Sequence, residues 1–173
     1  MDTKAIHKKL LDHFGLEVIL GLTEAAEALR DPYVSVTGAR IDKVCLYCRV
    51  EPKLEFDFCQ SITGMDTGET LTCVYHLYSY RQKQTLVLKA TTPRSAPRLP
   101  SCVSVWPAAD WYEREVFDLY GIQFEGHPDL RRLLLPEDWE GHPMLKDYKQ
   151  PATYRGMSTS RENPLDLLGD DPR

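Results

Sequence analysis

Beyond Gly121 the chain loses any helix or strand period for about 50 residues, a length at which structureless segments are uncommon in compact domains. The stretch is not composed like a linker. It holds Phe124, Leu130, Leu133, Leu134, Leu135, Trp139, Met144, Leu145, Tyr148 and Tyr154, side chains that proteins cover. It also holds six of the 12 prolines, which reduce the entropy lost when an extended segment is ordered. The preceding ~120 residues can bury only one modest core. The economical expectation is a docking arm. Residues 122–173 lie extended in the groove of a second protein, anchored by Trp139, the leucines and the tyrosines, the kinds of anchor that interfaces favour.

Residues 1–121 read as one α+β domain, a mainly antiparallel sheet packed with helices. Ile6, Leu10 and Phe14 predict a helix over 3–14, capped by Asp2 or Thr3 and ended by Gly15. A strand is expected over Leu16–Leu20, a short helix over Thr23–Leu29, a strand over Tyr33–Val36 and a helix over Ile41–Val50 that stops before Pro52. Phe56–Ile62 is a further strand, and Met65-Asp66-Thr67-Gly68 is turn chemistry. Leu71, Cys73, Tyr75 and Leu77 then alternate with polar or exposed-type neighbours, and Thr85–Thr91 returns as another strand. Pro93, Pro97 and Pro100 mark a rigid loop before a last helix over Ala108–Tyr120.

Several function classes are excluded. The net charge is −5, and residues 106–173 hold 14 of the 26 acidic side chains, whereas nucleic acid requires a basic surface. No apolar run nears the ~18–20 residues of a membrane span, and Met1-Asp2-Thr3-Lys4 leads into no signal-peptide core. The chain is expected in the cytoplasm, reaching a membrane only through a partner. Its five cysteines form no disulfide framework. Cys45 and Cys48 make a CxxC, but no second pair or nearby histidine completes a zinc or iron–sulfur site. With Ile41 they fall at i, i+4 and i+7 of a helix, so they are expected as buried core thiols. His76 falls on the more polar face of its strand and is expected at the surface.

On the last helix, Tyr112, Val116, Leu119 and Tyr120 form an apolar stripe flanked by Glu113 and Glu115. Carboxylates at the border of a buried face need partners. Arg131 and Arg132 are the nearest unpaired cations downstream, so the helix acids are expected to be pinned by them. A catalytic carboxylate pair is the sharper alternative, but no nucleophile elbow, phosphate loop or HExxH accompanies it. Downstream, Glu125-Gly126-His127-Pro128-Asp129-Leu130-Arg131 is echoed fifteen residues later by Glu140-Gly141-His142-Pro143-Met144-Leu145-Lys146. Two copies make two similar turns and no solenoid. His127 and His142 with Asp129 or Glu140 match no metal-ligand spacing; they are expected to fix the turns or to lie in an interface.

The run from Trp111 to Tyr148, WYEREVFDLYGIQFEGHPDLRRLLLPEDWEGHPMLKDY, closely resembles the signature of the 30 kDa subunit of respiratory complex I, the proton-translocating NADH:quinone oxidoreductase. The match falls on Glu113, Arg114, Glu115, Asp118, Tyr120, Gly121, Gly126, His127, Pro128, Asp129, Arg131, Arg132, Leu133, Leu134, Pro136, Glu137, Trp139, Gly141, His142, Pro143, Lys146, Asp147 and Tyr148. It departs at Leu145, where the family more often has arginine, and after Tyr148, where a proline usually follows directly. The resemblance implies a subunit without catalytic residues, cofactor or metal of its own. FMN, the iron–sulfur clusters and quinone then belong to partner subunits. It also implies a place bracing the quinone-reducing module, with the C-terminal segment along the 49 kDa-like subunit, near the terminal-cluster subunit and the other peripheral-arm subunits. Such a chain sits at the cytoplasmic face of the bacterial inner membrane. Membrane-bound hydrogenases of the formate hydrogenlyase type carry an equivalent subunit, often fused to the large subunit. No large-subunit sequence follows here, which favours the quinone oxidoreductase.

Overall fold

The computed structural model describes residues 1–24 and 31–159. Helix α1 (Thr3–Phe14) buries Ile6 and Leu10, is capped by Asp2 Oδ1 accepting the Ala5 N–H at 2.8 Å, and ends at Gly15, whose N–H donates to Leu11 O. Strands β1 (Ile19–Thr23) and β2 (Tyr33–Thr37) follow, then α2 (Ile41–Val50), which buries Ile41, Val44, Cys45 and Cys48. Three long strands, β3 (Phe58–Asp66), β4 (Thr70–Ser79) and β5 (Gln84–Pro93), form a meander. The sheet runs β1-β2-β5-β4-β3, with β2–β5 parallel and the other pairs antiparallel. Its core face carries Val34, Val36, Ile62, Cys73, Tyr75, Leu77, Leu86 and Leu88, covered by the helices. The last helix, α3 (Ala109–Tyr120), packs on β3.

All five cysteines are free and buried. Burial pushes the thiols of Cys45, Cys48 and Cys73 well up and that of Cys59 to about 12, so they are packing groups with little thiolate character. His76 is half-buried at the sheet face and bonds Ser61 Oγ at 3.2 Å.

The structure corrects four expectations. The first strand begins at Ile19, because Val18 and Ile19 donate to Gly15 O in a turn that leaves Leu16 exposed. β3 runs on to Asp66, so the turn is shorter than expected and centred on Gly68 and Glu69. The proline-marked loop contains β6 (Arg98–Pro100), which pairs in parallel with β7 (Gln123–Glu125). Three-residue strands carry too little alternation to be read from sequence. The core also passes the expected boundary at Gly121, since Ile122 and Phe124 are both buried in it. The helix expected over Thr23–Leu29 and residues 160–173 of the arm lie largely or wholly outside the described residues.

The β3–α3 contact is close enough to require glycine. A Cβ on Gly64 would stand 2.3 Å from Cδ2 and 2.9 Å from Cγ of the Tyr120 ring. Gly64→Ala is expected to cost about 1–3 kcal/mol, the usual range for overpacking, measurable by urea unfolding.

Candidate partner interface

The arm folds back on α3 before it presents anything outward, and Asp118 is the centre of that fold-back. Its carboxylate is fully buried. Oδ2 accepts the N–H groups of Leu133, Leu134 and Leu135 at 3.1, 2.7 and 2.8 Å, and Oδ1 accepts Arg132 Nη1 at 2.7 Å. Burial alone would raise this carboxyl; the three amides and the guanidinium outweigh it and hold it below its ordinary value. Arg132 reaches on, its Nη2 donating to Trp139 O at 2.8 Å and Gly141 O at 3.0 Å. One ion pair thus closes the loop from 132 to 141.

The two echoed turns clasp opposite ends of α3. Gly126 and Gly141 have φ of +83° and +78°, the left-handed region that favours glycine. In the first turn, His127 Nδ1 accepts the Asp129 N–H at 3.0 Å, so Nε2 carries the proton and faces Asp110 O at 3.3 Å, in the opening turn of α3. In the second, His142 Nδ1 donates to Asp118 O at 2.9 Å. The His142 ring occupies the place a Cβ would take on Gly121, which caps α3 at φ +78°. Both histidines therefore fix the turns, one of the two roles expected for them. Among the described residues no three His, Cys, Asp or Glu side chains gather closely enough to hold a metal ion.

The pairing of helix acids with arginines holds at one position and fails at two. Asp118 takes Arg132, but Arg131 pairs with Asp129 at 2.8 Å in solvent. Glu113 turns inward to Ser101 Oγ and the Cys102 N–H, both at 2.6 Å, and is pushed up to about 7 by burial. Glu115 is exposed. Arg114 does not meet Asp118; its Nε and Nη2 donate to Arg131 O and Arg132 O at 3.3 and 3.4 Å, and it lies over the exposed Trp111 ring.

A second anchor escaped sequence reading. Asp66 Oδ1 accepts the Gly68 N–H at 2.8 Å, the turn bond its position suggests. Its Oδ2 accepts the Lys146 N–H at 2.9 Å and Arg94 Nη2 at 3.1 Å, and Arg94 also pairs with Asp147. The amide bond from Lys146 and the Arg94 pair hold the Asp66 carboxyl below its ordinary value. Further along, Trp139 Nε1 donates to Tyr148 Oη at 3.0 Å, and Asp138 joins Arg155 and Tyr154. Tyr154 lies in a two-residue hairpin, β8 (Thr153–Tyr154) with β9 (Met157–Ser158).

Of the signature residues, Glu113, Arg114, Asp118, Gly121, His127, Arg132, Trp139, His142, Lys146, Asp147 and Tyr148 are joined by this internal network. Leu133 and Pro143 are half-buried within the same segment. Glu115, Pro128, Arg131, Leu134, Pro136 and Glu137 face outward, as do Trp111 and Met144 nearby. The exposed large apolar side chains Trp111, Leu134 and Met144 lie along the clamped arm and α3. No helix among the described residues is long and apolar enough to cross a membrane.

Fold and clamp define an α+β domain whose C-terminal arm is locked to its last helix, with Trp111, Leu134 and Met144 left exposed. The family model for the respiratory-chain NADH dehydrogenase 30 kDa subunit matches residues 34–154, and the chain belongs to that family. Among the relatives, the corresponding NADH-quinone oxidoreductase chain of Chloroherpeton thalassium is 41% identical over 116 residues, 66% of this chain and 48% of that one. That of Mycolicibacterium smegmatis is 36% identical over 160 residues, 88% and 67%. That of Roseiflexus sp. is 41% identical over 134 residues, 76% and 75%. The chain spans about half the length of several curated relatives it matches. Two solved structures share the fold. A trypsin-resistant fragment (1–134) of Nqo5 has a TM-score of 0.60 at 26% identity, covering 75% of this chain and all of that one. A chain of the membrane-bound sulfane sulfur reductase, an archaeal respiratory membrane complex, has a TM-score of 0.67 at 25% identity, covering 86% of each.

Proposed function

We propose that this chain is a non-catalytic peripheral-arm subunit of a proton-translocating NADH:quinone oxidoreductase, required for its assembly. It braces the quinone-reducing module against the 49 kDa-like and terminal-cluster subunits at the cytoplasmic face of the membrane. FMN, iron–sulfur clusters and quinone are held by the partners. The observation that carries this reading is the clamped arm. Many of the family's signature residues fix the arm's shape, while Leu134 and Met144 remain outward and Trp111 stays largely exposed with the Arg114 guanidinium over its ring. Burying such side chains in a second protein is what an assembly subunit gains from a rigid arm. The likeness to a sulfane sulfur reductase chain favours a second reading, an equivalent subunit in another membrane-bound respiratory complex such as a hydrogenase.

The test is co-purification. A chain carrying Trp111→Ala and Leu134→Asp is expected to lose no more than about 1 kcal/mol of stability, the cation–π contact with Arg114 included, and to lose most of its association, each anchor contributing on the order of 2 kcal/mol. Full-yield recovery with the neighbouring subunits would refute the arm as interface. The identity of the chains recovered with the wild type decides between oxidoreductase and hydrogenase.

A further inference from the structure

One stripe of α3 carries a carboxylate between two apolar side chains. Tyr112, Glu115 and Leu119 fall at i, i+3 and i+7 and so follow one another along one side of the helix. Across from them run Ser61 and Thr63 of β3, and between the two elements lies a groove of about 210 Å³. Its floor is closed. Ile62 and Val116 are buried, and a Cβ on Gly64 would stand 2.3 Å from Cδ2 of the Tyr120 ring. No added backbone can reach β3 through that floor, but a side chain can enter above it. Met144 closes one end, its N–H donating to Leu119 O at 3.1 Å.

The polar groups along the groove differ in what they already hold. Ser61 Oγ bonds His76 Nδ1 at 3.2 Å, and Tyr112 Oη donates to Gln60 O at 2.8 Å, so both hydroxyls are engaged within the fold. Glu115 is the one charged side chain lining the groove. It is exposed and, among the described residues, has no ion-pair partner. Its neighbour Arg114 is spent on Arg131 O and Arg132 O. Trp111, one helical turn before Glu115, and Met144 at the groove's end are both exposed. A partner that covers these two also covers Glu115, and a carboxylate taken out of water is costly unless a cation comes with it.

We propose that this groove receives one lysine or arginine side chain of a neighbouring subunit, its aliphatic stem against Tyr112, Leu119 and Met144 and its charge on Glu115. Long basic side chains combine the two characters the groove combines, an apolar stem and a cationic head. The apolar walls match the stem, and the unpaired carboxylate at the rim fixes where the head must lie. An acidic side chain is repelled, and an aliphatic one leaves Glu115 covered without a partner. The proposal rests on the reading of the chain as one subunit among several.

The test uses the purified assembly, with a photo-crosslinking side chain at Thr63, exposed on the far rim, or at Leu134 on the arm. Thr63 is expected to crosslink to one short stretch of one partner chain, and that stretch is expected to contain a lysine or arginine. Glu115→Gln, an exposed change of nearly equal volume, is expected to leave unfolding of the isolated chain unaltered. It is expected to raise the concentration at which the chain dissociates from the assembly by about tenfold, and Glu115→Lys by more. Changing the crosslinked basic residue to glutamate is expected to weaken association in the wild type and to restore it in Glu115→Lys. Dissociation of Glu115→Gln at the wild-type concentration overturns the proposal. So does a crosslinked stretch without a basic residue, or a charge swap no tighter than its single changes. Crosslinks from Leu134 without any from Thr63 overturn it and leave the subunit reading standing. No crosslink to another chain from either position defeats both.

Discussion

Asp118→Ala is expected to lower unfolding stability by about 3–5 kcal/mol, the range for removing one partner of a buried ion pair. Three backbone amides, Leu133 to Leu135, would lose their common acceptor, and Arg132 would keep only carbonyl oxygens around a guanidinium that is 15% exposed. Asp118→Asn keeps the volume but presents an NH2 toward donors, so a loss of about 1–3 kcal/mol is expected. The arm should open first, with amide exchange at 133–135 accelerating before the sheet is affected. A loss below about 1 kcal/mol in urea, with unchanged exchange there, would refute Asp118 as the keystone. The sign with pH is fixed by its depressed value. Its contribution is complete above the ordinary carboxyl value of 3.8 and fades only as pH falls through the lower folded one. Acid therefore releases the arm only under strongly acidic conditions.

The same clamp marks where sequence reading succeeds and where it stops. Helix α2 was legible because Ile41, Val44, Cys45 and Cys48 repeat within one local period and Pro52 ends it. The paired Gly-His-Pro turns were legible for the same reason, since glycine and proline act on their own backbone. What those turns grip was not, because Asp110 and Asp118 lie 17 and 24 residues from the histidines that reach them. Asp66 shows the limit most directly. Its local turn bond to Gly68 is written in Asp-Thr-Gly, but its bond to Lys146 spans 80 residues and has no local trace. The arm's apolar content signals a need for cover, and the chain itself supplies some of it. Part of the cover comes from the chain's own helix and strand, with Leu130 and Leu145 packed on the core and Phe124 inside it. The acids failed for a different reason. Helix geometry places Glu113 beside the stripe, but only the packed loop shows that Ser101 and Cys102 reach it before any arginine can.

Glu113 is expected to make the protein less stable as pH rises from about 5 to 8, opposite to the acids of the clamp. Its carboxyl is fully buried, and burial pushes it from 4.5 to about 7 even though Ser101 Oγ and the Cys102 N–H bond it, with Asp110 adding repulsion. Between those values the folded chain holds a proton that the unfolded chain has released, so stability falls with pH there. The interval from 4.5 to about 7 corresponds to on the order of 3 kcal/mol. Asp66 and Asp118, depressed below 3.8, act only at lower pH and leave this window clear. Glu113→Gln reproduces the neutral form. Its Oε1 can accept the Cys102 N–H while its Nε2 donates to Ser101 Oγ. The variant is expected to match the wild type near pH 4.5 and to exceed it at pH 8 by up to about 3 kcal/mol, as read from urea unfolding across that range. Parallel wild-type and variant profiles would show that the carboxylate is ionised in the fold without cost. The loop from Ser101 to Trp106 would then be held to α3 by an ordinary charged hydrogen bond, with no proton at stake.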